Sequence, residues 1–421
     1  MTAVADQREA NEFRPKAWTG RDWVWIAGLS VVLAVLYAWQ LQPGIAPHGD
    51  ISKFQFAGPL GGTAHQTGYP LYLMLGWLAA HAGPFVGPGT AVTTLSALFS
   101  VGAAVATYTA LRELMTRPII AAAFSLLLGV APVVFYYAVV AEVYAAHLFL
   151  MATLLAMLLR WRRTGSGVDL AIAIVLLALS FTHHMGTALL IPGILWFVWK
   201  TDRSTYRRPG VWLLGVGSLA VAVLLYGYLI WRAGDPGTPF VEVAPESWSD
   251  LPAIWIGTGG ASLVVGDVIS FLERLPRLGW TVIGSALLAL PFAVVGFRAL
   301  RRDAAGALLI LWGAATALFA VVYAAPDPQS FIVPVVFVLF VAGGVGAERI
   351  AADDAVSTRF AAVALVVIGA LAIVGGVRFV GVQSHADYAA RTESWITALP
   401  PNSVLAASYT DAMAAFHLSL L

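Results

Sequence analysis

Residues 23–41 read WVWIAGLSVVLAVLYAWQL, a stretch of 19 residues that contains no charged side chain. A helix needs about 20 apolar residues to cross the hydrocarbon core of a bilayer, so this stretch has the length of one membrane span. Ten similar stretches follow, near residues 89–111, 118–137, 142–160, 168–183, 186–200, 210–231, 279–298, 305–324, 330–347 and 359–379. The sequence therefore predicts an all-α polytopic membrane protein with about 11 transmembrane helices.

The composition excludes several classes of protein. Of the 421 residues, 59% are hydrophobic and 11% are charged, and the mean hydropathy is +0.81. A typical soluble protein has about 25% charged residues. So few polar side chains cannot cover so much apolar surface in water, which excludes a soluble enzyme, a nucleic-acid-binding protein and a disordered chain. Because cysteine is absent, disulfides, thiolate zinc sites and cysteine nucleophiles are excluded as well.

The basic residues predict the orientation of the chain. With the N-terminus in the cytoplasm, 18 of the 24 Lys and Arg residues fall on the inner side, as the positive-inside rule requires. The remaining six lie outside: Lys53, Arg232, Arg274, Arg277, Arg378 and Arg391. This orientation gives a cytoplasmic tail (1–22), a transmembrane domain (23–379) with outer loops at 42–88 and 232–278, and an extracytoplasmic C-terminal segment (380–421). The Arg-rich, Ala-rich composition suggests a bacterial plasma membrane.

Within the first outer loop, residues 48–56 (HGDISKFQF) and 63–72 (TAHQTGYPLY) contain the most polar groups. Asp50 could cap a short interfacial helix or act in catalysis. Lys53 could be a snorkelling cation, and Tyr69 could belong to an aromatic belt. The apolar segment 69–82 is too short to span the bilayer, and we predict that it is re-entrant or interfacial.

Three further polar turns fall at the same predicted face. Glu142 lies between two apolar spans, where a carboxylate is costly unless it is solvated, paired or bound to a cation; it could also cap a helix. His183 and His184 are adjacent, so at most one of them is expected to point into a site. Asp327 lies between two prolines in a late outer turn. We expect these turns to converge with the first outer loop on the extracytoplasmic face.

Taken in order, these motifs resemble the protein O-mannosyltransferase-like family of GT-C-type membrane glycosyltransferases, long described as a domain of unknown function. Members typically show Gly-Asp, His-Pro-Pro-Gly-Tyr-Pro-Leu-Tyr, Ala-Glu-Val-Tyr, an Asn-His pair, a late Asp and Leu-Pro-Pro-Asn. The matching positions are Asp50, His65 with residues 68–72, residues 141–144, His184, Asp327 and residues 399–402. The resemblance runs from about residue 23 to residue 411 and implies a GT-C fold.

The chain departs from the family pattern at several positions. Gln66 and Thr67 replace the usual Pro-Pro, Lys53 stands where many members have Glu, and His183 replaces the Asn. The sequence also stops shortly after Asp411, where many relatives continue into a larger soluble domain. The first three departures bear on substrate choice, and the last favours a small acceptor over a large protein.

The resemblance implies that a sugar, with mannose as the family-based guess, passes from a polyprenyl-phosphate donor to an acceptor hydroxyl with inversion. Asp50 would be the catalytic base. The other candidate residues would bind substrate: Lys53, His65, Gln66, Tyr69, Glu142, Tyr144, His184, Asp327, Gln329 and Arg378. Arg378 is the preferred partner for the leaving phosphate, with Lys53 and Arg232 as alternatives. Glu142 could also hold a divalent cation, Mg²⁺ or Mn²⁺, because hard oxygen ligands suit these ions.

Other readings remain open at this point. A transporter or flippase would place polar groups near the membrane midplane, often within repeated halves, and neither feature is evident. A non-catalytic binder of lipid-linked glycans would retain donor binding without turnover. For an enzyme, the acceptor could be a protein Ser/Thr, an envelope glycan or a lipid.

Overall fold

A computed structural model describes residues 18–42, 44, 46, 49–82, 87–257, 266–324 and 327–351, with short pieces at 393–394, 397–400, 412–413 and 415–416. The predicted span at 359–379, Arg378 and most of the predicted N-terminal tail and C-terminal segment lie outside these residues. Within the described ranges the regular elements are helices, and no β-strand is present. The expected all-α class is therefore confirmed.

Sixteen α-helices follow one another in the described residues. They are α1 (Gly20–Gln40), α2 (Gly49–Ala57), α3 (Pro70–His81), α4 (Pro88–Arg112), α5 (Pro118–Gly129), α6 (Pro132–Ala138), α7 (Tyr144–Thr164), α8 (Gly167–His183), α9 (Ile191–Thr201), α10 (Pro209–Leu225), α11 (Gly227–Gly234), α12 (Leu251–Ile256), α13 (Val268–Ala286), α14 (Leu290–Ala299), α15 (Ala304–Val322) and α16 (Val333–Ala351). Short 3₁₀ helices at Met185–Leu190 and Pro328–Ile332 precede α9 and α16. Many α-helices begin at proline, which lacks the backbone N–H that a first turn leaves unpaired.

Six helices in the described part of the chain are long and apolar enough to cross a membrane, and two bent helix pairs raise that number to eight. Large apolar side chains such as Trp23, Leu213 and Trp280 are exposed on their outer surfaces, as expected for contact with lipid. The chain is therefore a multi-pass membrane protein. Helix α8 and residues 185–201 are apolar but shorter than a full span.

Two stretches that we predicted as single spans are bent helix pairs. Residues 118–137 form α5 and α6, which meet at 68°, and residues 279–298 fall in α13 and α14, which meet at 87°. Pro132 begins α6 and cannot donate the hydrogen bond that would continue α5. The first stretch therefore breaks where its sequence contains proline, although its hydropathy is continuous.

The basic end of the helix bundle is joined by ion pairs between different elements. Arg112 Nε on α4 donates to Asp22 Oδ1 on α1 at 2.6 Å, and both side chains are fully or almost fully buried. Arg163 Nε on α7 lies 2.5 Å from Glu113 Oε2, and Arg162 pairs with Asp303. Helix α7 has 21 residues and is therefore about 30 Å long. Its Arg162 and Arg163 lie at this basic end, so Tyr144 at its start lies at the opposite end of the bundle.

Residues 49–82, which belong to the predicted first outer loop, fold against that opposite end. Helices α2 and α3 pack together where Gly58 meets Gly76, and a Cβ added at Gly58 would lie 3.2 Å from the Gly76 Cα. Thr63 fastens this loop to a later segment, because its Oγ1 accepts from the Glu242 N–H at 2.9 Å and donates to the Val243 carbonyl at 2.8 Å. The loop is thus a packed part of the protein.

Candidate active site

A buried lysine and a half-exposed aspartate form the centre of the site on helix α2. Lys53 is fully buried and its Nζ lies 2.7 Å from Asp50 Oδ1, one turn earlier on the helix. The same ammonium lies 3.1 Å from Glu242 Oε2 and 2.6 Å from His65 Nδ1. An ammonium has three N–H donors, and three acceptors surround this one. The Asp50 side chain remains 42% exposed, so its carboxylate is held in place and still accessible.

His65 and Tyr69 extend this arrangement away from Asp50. Burial and the nearby ammonium of Lys53 lower the pKa of His65, so the ring is neutral near pH 7. Because Nδ1 accepts from Lys53, Nε2 bears the ring proton and donates to the Tyr69 hydroxyl at 3.3 Å. The Tyr69 hydroxyl in turn donates to the Gln66 carbonyl at 3.2 Å. Of these residues, Gln66 therefore contributes its backbone to the network.

Glu142 lies in the short connection between α6 and α7 and is buried. Burial, followed by the negative charges of Asp50 and Asp327, raises the pKa of Glu142 well above its usual range. One carboxylate oxygen accepts from the Val143 N–H at 3.2 Å. The three carboxylates therefore lie close enough to influence one another, and the predicted polar turns meet in space.

Asp327 precedes the 3₁₀ helix Pro328–Ile332, and its backbone carbonyl is hydrogen-bonded to that helix. Its carbonyl accepts from the Ser330 hydroxyl at 2.7 Å. Burial, with a smaller effect of the Asp50 charge, raises the pKa of the Asp327 carboxyl to about 6. Gln329 has a buried Oε1 that accepts no hydrogen bond within the described residues. This turn therefore contributes a carboxyl group with a raised pKa and an amide oxygen without a hydrogen-bond partner among the described residues.

The two adjacent histidines have different surroundings. His183 Nε2 lies 2.7 Å from the Val143 carbonyl, so this ring anchors the connection that contains Glu142. His184 Nδ1 accepts from the Gly186 N–H at 2.9 Å, and its ring lies 5.7 Å from Tyr144 and 6.0 Å from Tyr69. The His184 ring lies among those of Tyr69, Tyr144 and Phe331, while the His183 ring packs against Tyr72.

The candidate phosphate-binding cations differ in what they already contact. The three donors of Lys53 face protein acceptors, and Arg232 donates to the Gly61 carbonyl at 2.5 Å and to Asp235 at 2.9 Å. Two residues that the sequence did not single out lie on α13 near the late turn. Arg274 Nη1 donates to the Tyr323 carbonyl at 2.5 Å, and the charge of Arg277 acts on Asp327. Arg378 lies outside the described residues.

The divalent cation that Glu142 could hold has no ligand set in the described parts of the chain. No group of three or more His, Asp or Glu side chains there is arranged to hold a metal ion. The nearest cation to Asp50 is instead the ammonium of Lys53. Metal binding by Glu142 therefore stays a prediction, and no step proposed below uses a metal.

Besides Arg274 and Arg277, the sequence also did not single out Glu242 and His147 near the site. Glu242 reaches Lys53 from the second outer loop, and no motif surrounds it. His147 is buried on α7, one helical turn after Tyr144, with its ring 4.8 Å from that of His184. The i, i+3 spacing from Tyr144 could have placed His147 on the same helix face.

The bundle of apolar helices with a polar site at one end is a GT-C-type fold, as its likeness to a solved structure shows. The chain is similar to ArnT from Cupriavidus metallidurans in its crystal structure bound to undecaprenyl phosphate, with a TM-score of 0.64 and 16% sequence identity. That match covers 94% of this chain and 85% of ArnT. The apo crystal structure of ArnT gives a TM-score of 0.61 over 93% and 84% of the two chains, again at 16% identity.

The sequence itself matches one family over part of its length. Residues 52–206 match the family described as protein O-mannosyl-transferase TMEM260 N-terminal domain. A comparison with curated proteins finds no match. Together with the shared fold, the family match confirms the resemblance to the GT-C, O-mannosyltransferase-like family that the motifs indicated.

Proposed function

We propose that this protein is an inverting glycosyltransferase that moves a sugar from a polyprenyl-phosphate donor to an acceptor hydroxyl at the extracytoplasmic face of a membrane. The family match supports sugar transfer, and the similarity to ArnT bound to undecaprenyl phosphate supports a lipid-linked donor. The observation on which the proposal rests is the half-exposed Asp50 carboxylate, held at 2.7 Å by the buried ammonium of Lys53.

Asp50 is the proposed general base. The acceptor hydroxyl attacks the anomeric carbon, and its proton passes to a carboxylate oxygen of Asp50. A new bond forms between the acceptor oxygen and the anomeric carbon while the bond from that carbon to the phosphate oxygen breaks. The phosphate leaves with the bonding electrons on the opposite side, which inverts the configuration. Lys53 orients Asp50 by donating a hydrogen bond to Oδ1.

The leaving polyprenyl phosphate needs positive charge near its oxygens. Arg274 and Arg277 on α13 lie near the turn that contains Asp327, so we add them to Arg378 as candidates for this role. Lys53 and Arg232 are less suited to it, since each already forms an ion pair with a carboxylate: Lys53 with Asp50 and Glu242, and Arg232 with Asp235. A guanidinium that binds phosphate through two parallel hydrogen bonds would also fix the orientation of the head group.

The identities of sugar and acceptor form the finer part of the proposal. Mannose is the proposed sugar, on the strength of the matched family's description. The proposed acceptor is a hydroxyl of a secreted protein Ser/Thr, of an envelope glycan or of a lipid, and a bacterial plasma membrane is the proposed location. Glu142, Asp327 and His184 are proposed contacts of sugar hydroxyls.

Purified protein in nanodiscs tests the proposal directly. It is incubated with radiolabelled polyprenyl-phosphate mannose and a host membrane extract, beside Asp50→Asn and the control Asp202→Asn. Asp202 is an ion-paired residue far along the chain at the end of α9. We expect label to reach an acceptor with the wild-type protein and the control, and transfer to fall at least 100-fold with Asp50→Asn. Near-normal turnover by Asp50→Asn would remove Asp50 as the base, and donor binding without transfer by the wild type would indicate a binding protein.

A further inference from the structure

Three phenylalanine rings from separate parts of the chain meet one helical turn from Lys53. Phe56 lies on α2, Phe240 in the predicted second outer loop and Phe416 in the predicted C-terminal segment. The centroids of the Phe56 and Phe240 rings are 4.9 Å apart, and the Phe416 ring lies 5.1 Å from the first and 5.5 Å from the second. These separations are those of contacting aromatic pairs. We refer to these three rings as the aromatic cluster.

The aromatic cluster adjoins both groups that hold the candidate base. Phe56 follows Lys53 by three positions on α2, so the two side chains are neighbours on the helix surface. Glu242, whose Oε2 lies 3.1 Å from Lys53 Nζ, follows Phe240 by two positions. The cluster therefore joins the helix that bears Asp50 to the loop that supplies Glu242.

Helix α2 depends on its packing for its position. It has only nine residues, and an isolated helix of that length is unstable in water. Its residues 51–57 are all buried, and Phe56 is only 2% exposed. A shift of the Phe56 ring would therefore move Asp50 and Lys53 with it, because all three side chains project from the same short helix.

The C-terminal segment is packed where it reaches the aromatic cluster. Ala415 is 8% exposed, and Met413 and Phe416 pack against the buried core of the protein. Phe416 itself is partly buried and touches rings from two other parts of the chain. Its contact is thus part of the folded structure around α2.

We propose that Phe416 is a positioning residue, which fixes the separation of α2 from the loop that supplies Glu242 by packing against both other rings of the aromatic cluster. This inference rests on the proposed function and assigns a role in it to the C-terminal segment. Phe416 acts through Lys53, whose contacts with the base and with Glu242 depend on that separation. Misplacement of a reacting group by about 1 Å can lower a rate about 100-fold, so a packing contact at this distance can control turnover.

The test uses variants that remove the ring or keep it. Phe416→Ala removes the ring, Phe416→Tyr keeps it, and Phe416→Leu keeps apolar volume without a ring, in case the alanine variant does not fold. Phe292→Ala is the matched control. Phe292 is also a partly buried phenylalanine, its ring lies 5.8 Å from that of Phe124, and it lies on α14, which leads to the basic end of the bundle.

Transfer kinetics in nanodiscs with radiolabelled polyprenyl-phosphate mannose separate positioning from stability. Per folded molecule, we expect Phe416→Ala to lower kcat about 10- to 100-fold and to leave KM for the donor within about two-fold. Phe416→Tyr should restore most of the loss, and Phe416→Leu should fall between the two. Phe292→Ala should lower the Tm with kcat unchanged. A lower Tm for Phe416→Ala with wild-type kcat, or a change confined to KM, would overturn the proposal.

A double-mutant cycle asks whether Phe416 acts through the pair of Lys53 and Glu242. In the Glu242→Gln background that pair is already weakened, so adding Phe416→Ala should lower kcat less than about three-fold further. Residues that act independently would instead multiply their effects. A full 10- to 100-fold loss from Phe416→Ala in both backgrounds would contradict a role through this pair.

Hydrogen exchange followed by mass spectrometry tests the inference without turnover. The Thr63 N–H donates to the Phe240 carbonyl at 3.1 Å, and the Glu242 N–H donates to Thr63 Oγ1 at 2.9 Å. We expect these amides to exchange at least about 10-fold faster in Phe416→Ala and at the wild-type rate in Phe292→Ala. If they do so in a protein that transfers no sugar, the hold of Phe416 on this loop stands and only the transferase proposal fails. Unchanged exchange in Phe416→Ala would refute the inference even if the wild type transfers sugar.

Discussion

Replacing Lys53 with Met tests the electrostatic centre of the site. Methionine has a similar length and no charge, so the substitution keeps volume and removes the ammonium. That ammonium lies 2.7 Å from Asp50 Oδ1, 3.1 Å from Glu242 Oε2 and 2.6 Å from His65 Nδ1. After the substitution, Asp50 and Glu242 face each other without the cation between them. We therefore expect a lower free energy of unfolding and a less well-oriented base.

The size of the effect follows from the exposure of the partners. A hydrogen bond to a charged group contributes about 1.5–3 kcal/mol, and an uncompensated buried charge costs about 3–5 kcal/mol. Asp50 and Glu242 are 42% and 25% exposed, so water replaces part of what the ammonium supplied. We therefore expect Lys53→Met to lower the free energy of unfolding by about 2–4 kcal/mol. Loss of an oriented base should lower turnover by about 10²–10⁴-fold.

The assay combines the Tm in nanodiscs with the rate of sugar transfer per folded molecule. Lys200→Met is the control, because Lys200 lies over the Trp196 and Trp199 rings at 5.2 and 5.1 Å, far from Asp50 in the chain and on a partly exposed surface. Glu242→Gln should show a smaller loss than Lys53→Met, and the double variant should lose less than the sum of the two. Wild-type Tm and turnover in Lys53→Met would refute the reasoning.

Three further predictions concern other parts of the structure. Because the pKa of Asp327 is raised to about 6, the free energy of unfolding and the Tm should fall as the pH rises from about 4 to 6. In Asp327→Asn the Tm should depend less on pH in this range, and above pH 6 it should exceed that of the wild type. A Cβ at Gly186 would lie 2.7 Å from His184 Nδ1, so Gly186→Ala should reduce transfer at least 10-fold, whereas Gly217→Ala, with open space around it, should leave transfer unchanged. Asp22→Asn breaks the buried pair at the basic end and should lower stability by about 3–5 kcal/mol while the turnover of the folded fraction persists; a Tm equal to that of the wild type would contradict this.

The sequence predicted the helical architecture well because hydropathy directly reports which segments lie in lipid. The stretches at 23–41, 89–111 and 305–324 correspond closely to α1, α4 and α15. The bends within 118–137 and 279–298 were missed, since average hydropathy is insensitive to the direction of a helix axis. Pro132 was the local signal for the first bend, because proline ends the hydrogen-bonding pattern of the preceding helix.

The site was predictable where short motifs contain its polar groups. Asp50, Glu142 and Asp327 belong to turns that the sequence placed at one face, and the structure brings their charges within reach of one another. Glu242 was not predictable, because its contact with Lys53 spans 189 positions and depends on the packing of two loops. Snorkelling was one alternative for Lys53, but in the structure Lys53 is fully buried and pairs with Asp50 on its own helix and with the distant Glu242.

The attachment of residues 60–63 to residues 228–243 has a consequence for exchanging loops between relatives. Thr63 bonds both Glu242 and Val243, and the Tyr228 hydroxyl donates to the Gly62 carbonyl at 2.9 Å. The two loops are thus a single mechanical unit that also holds Lys53 in place. A graft of the later loop from a relative would have to bring the earlier one with it, because the transplanted segment would otherwise lose its anchor and disturb the base.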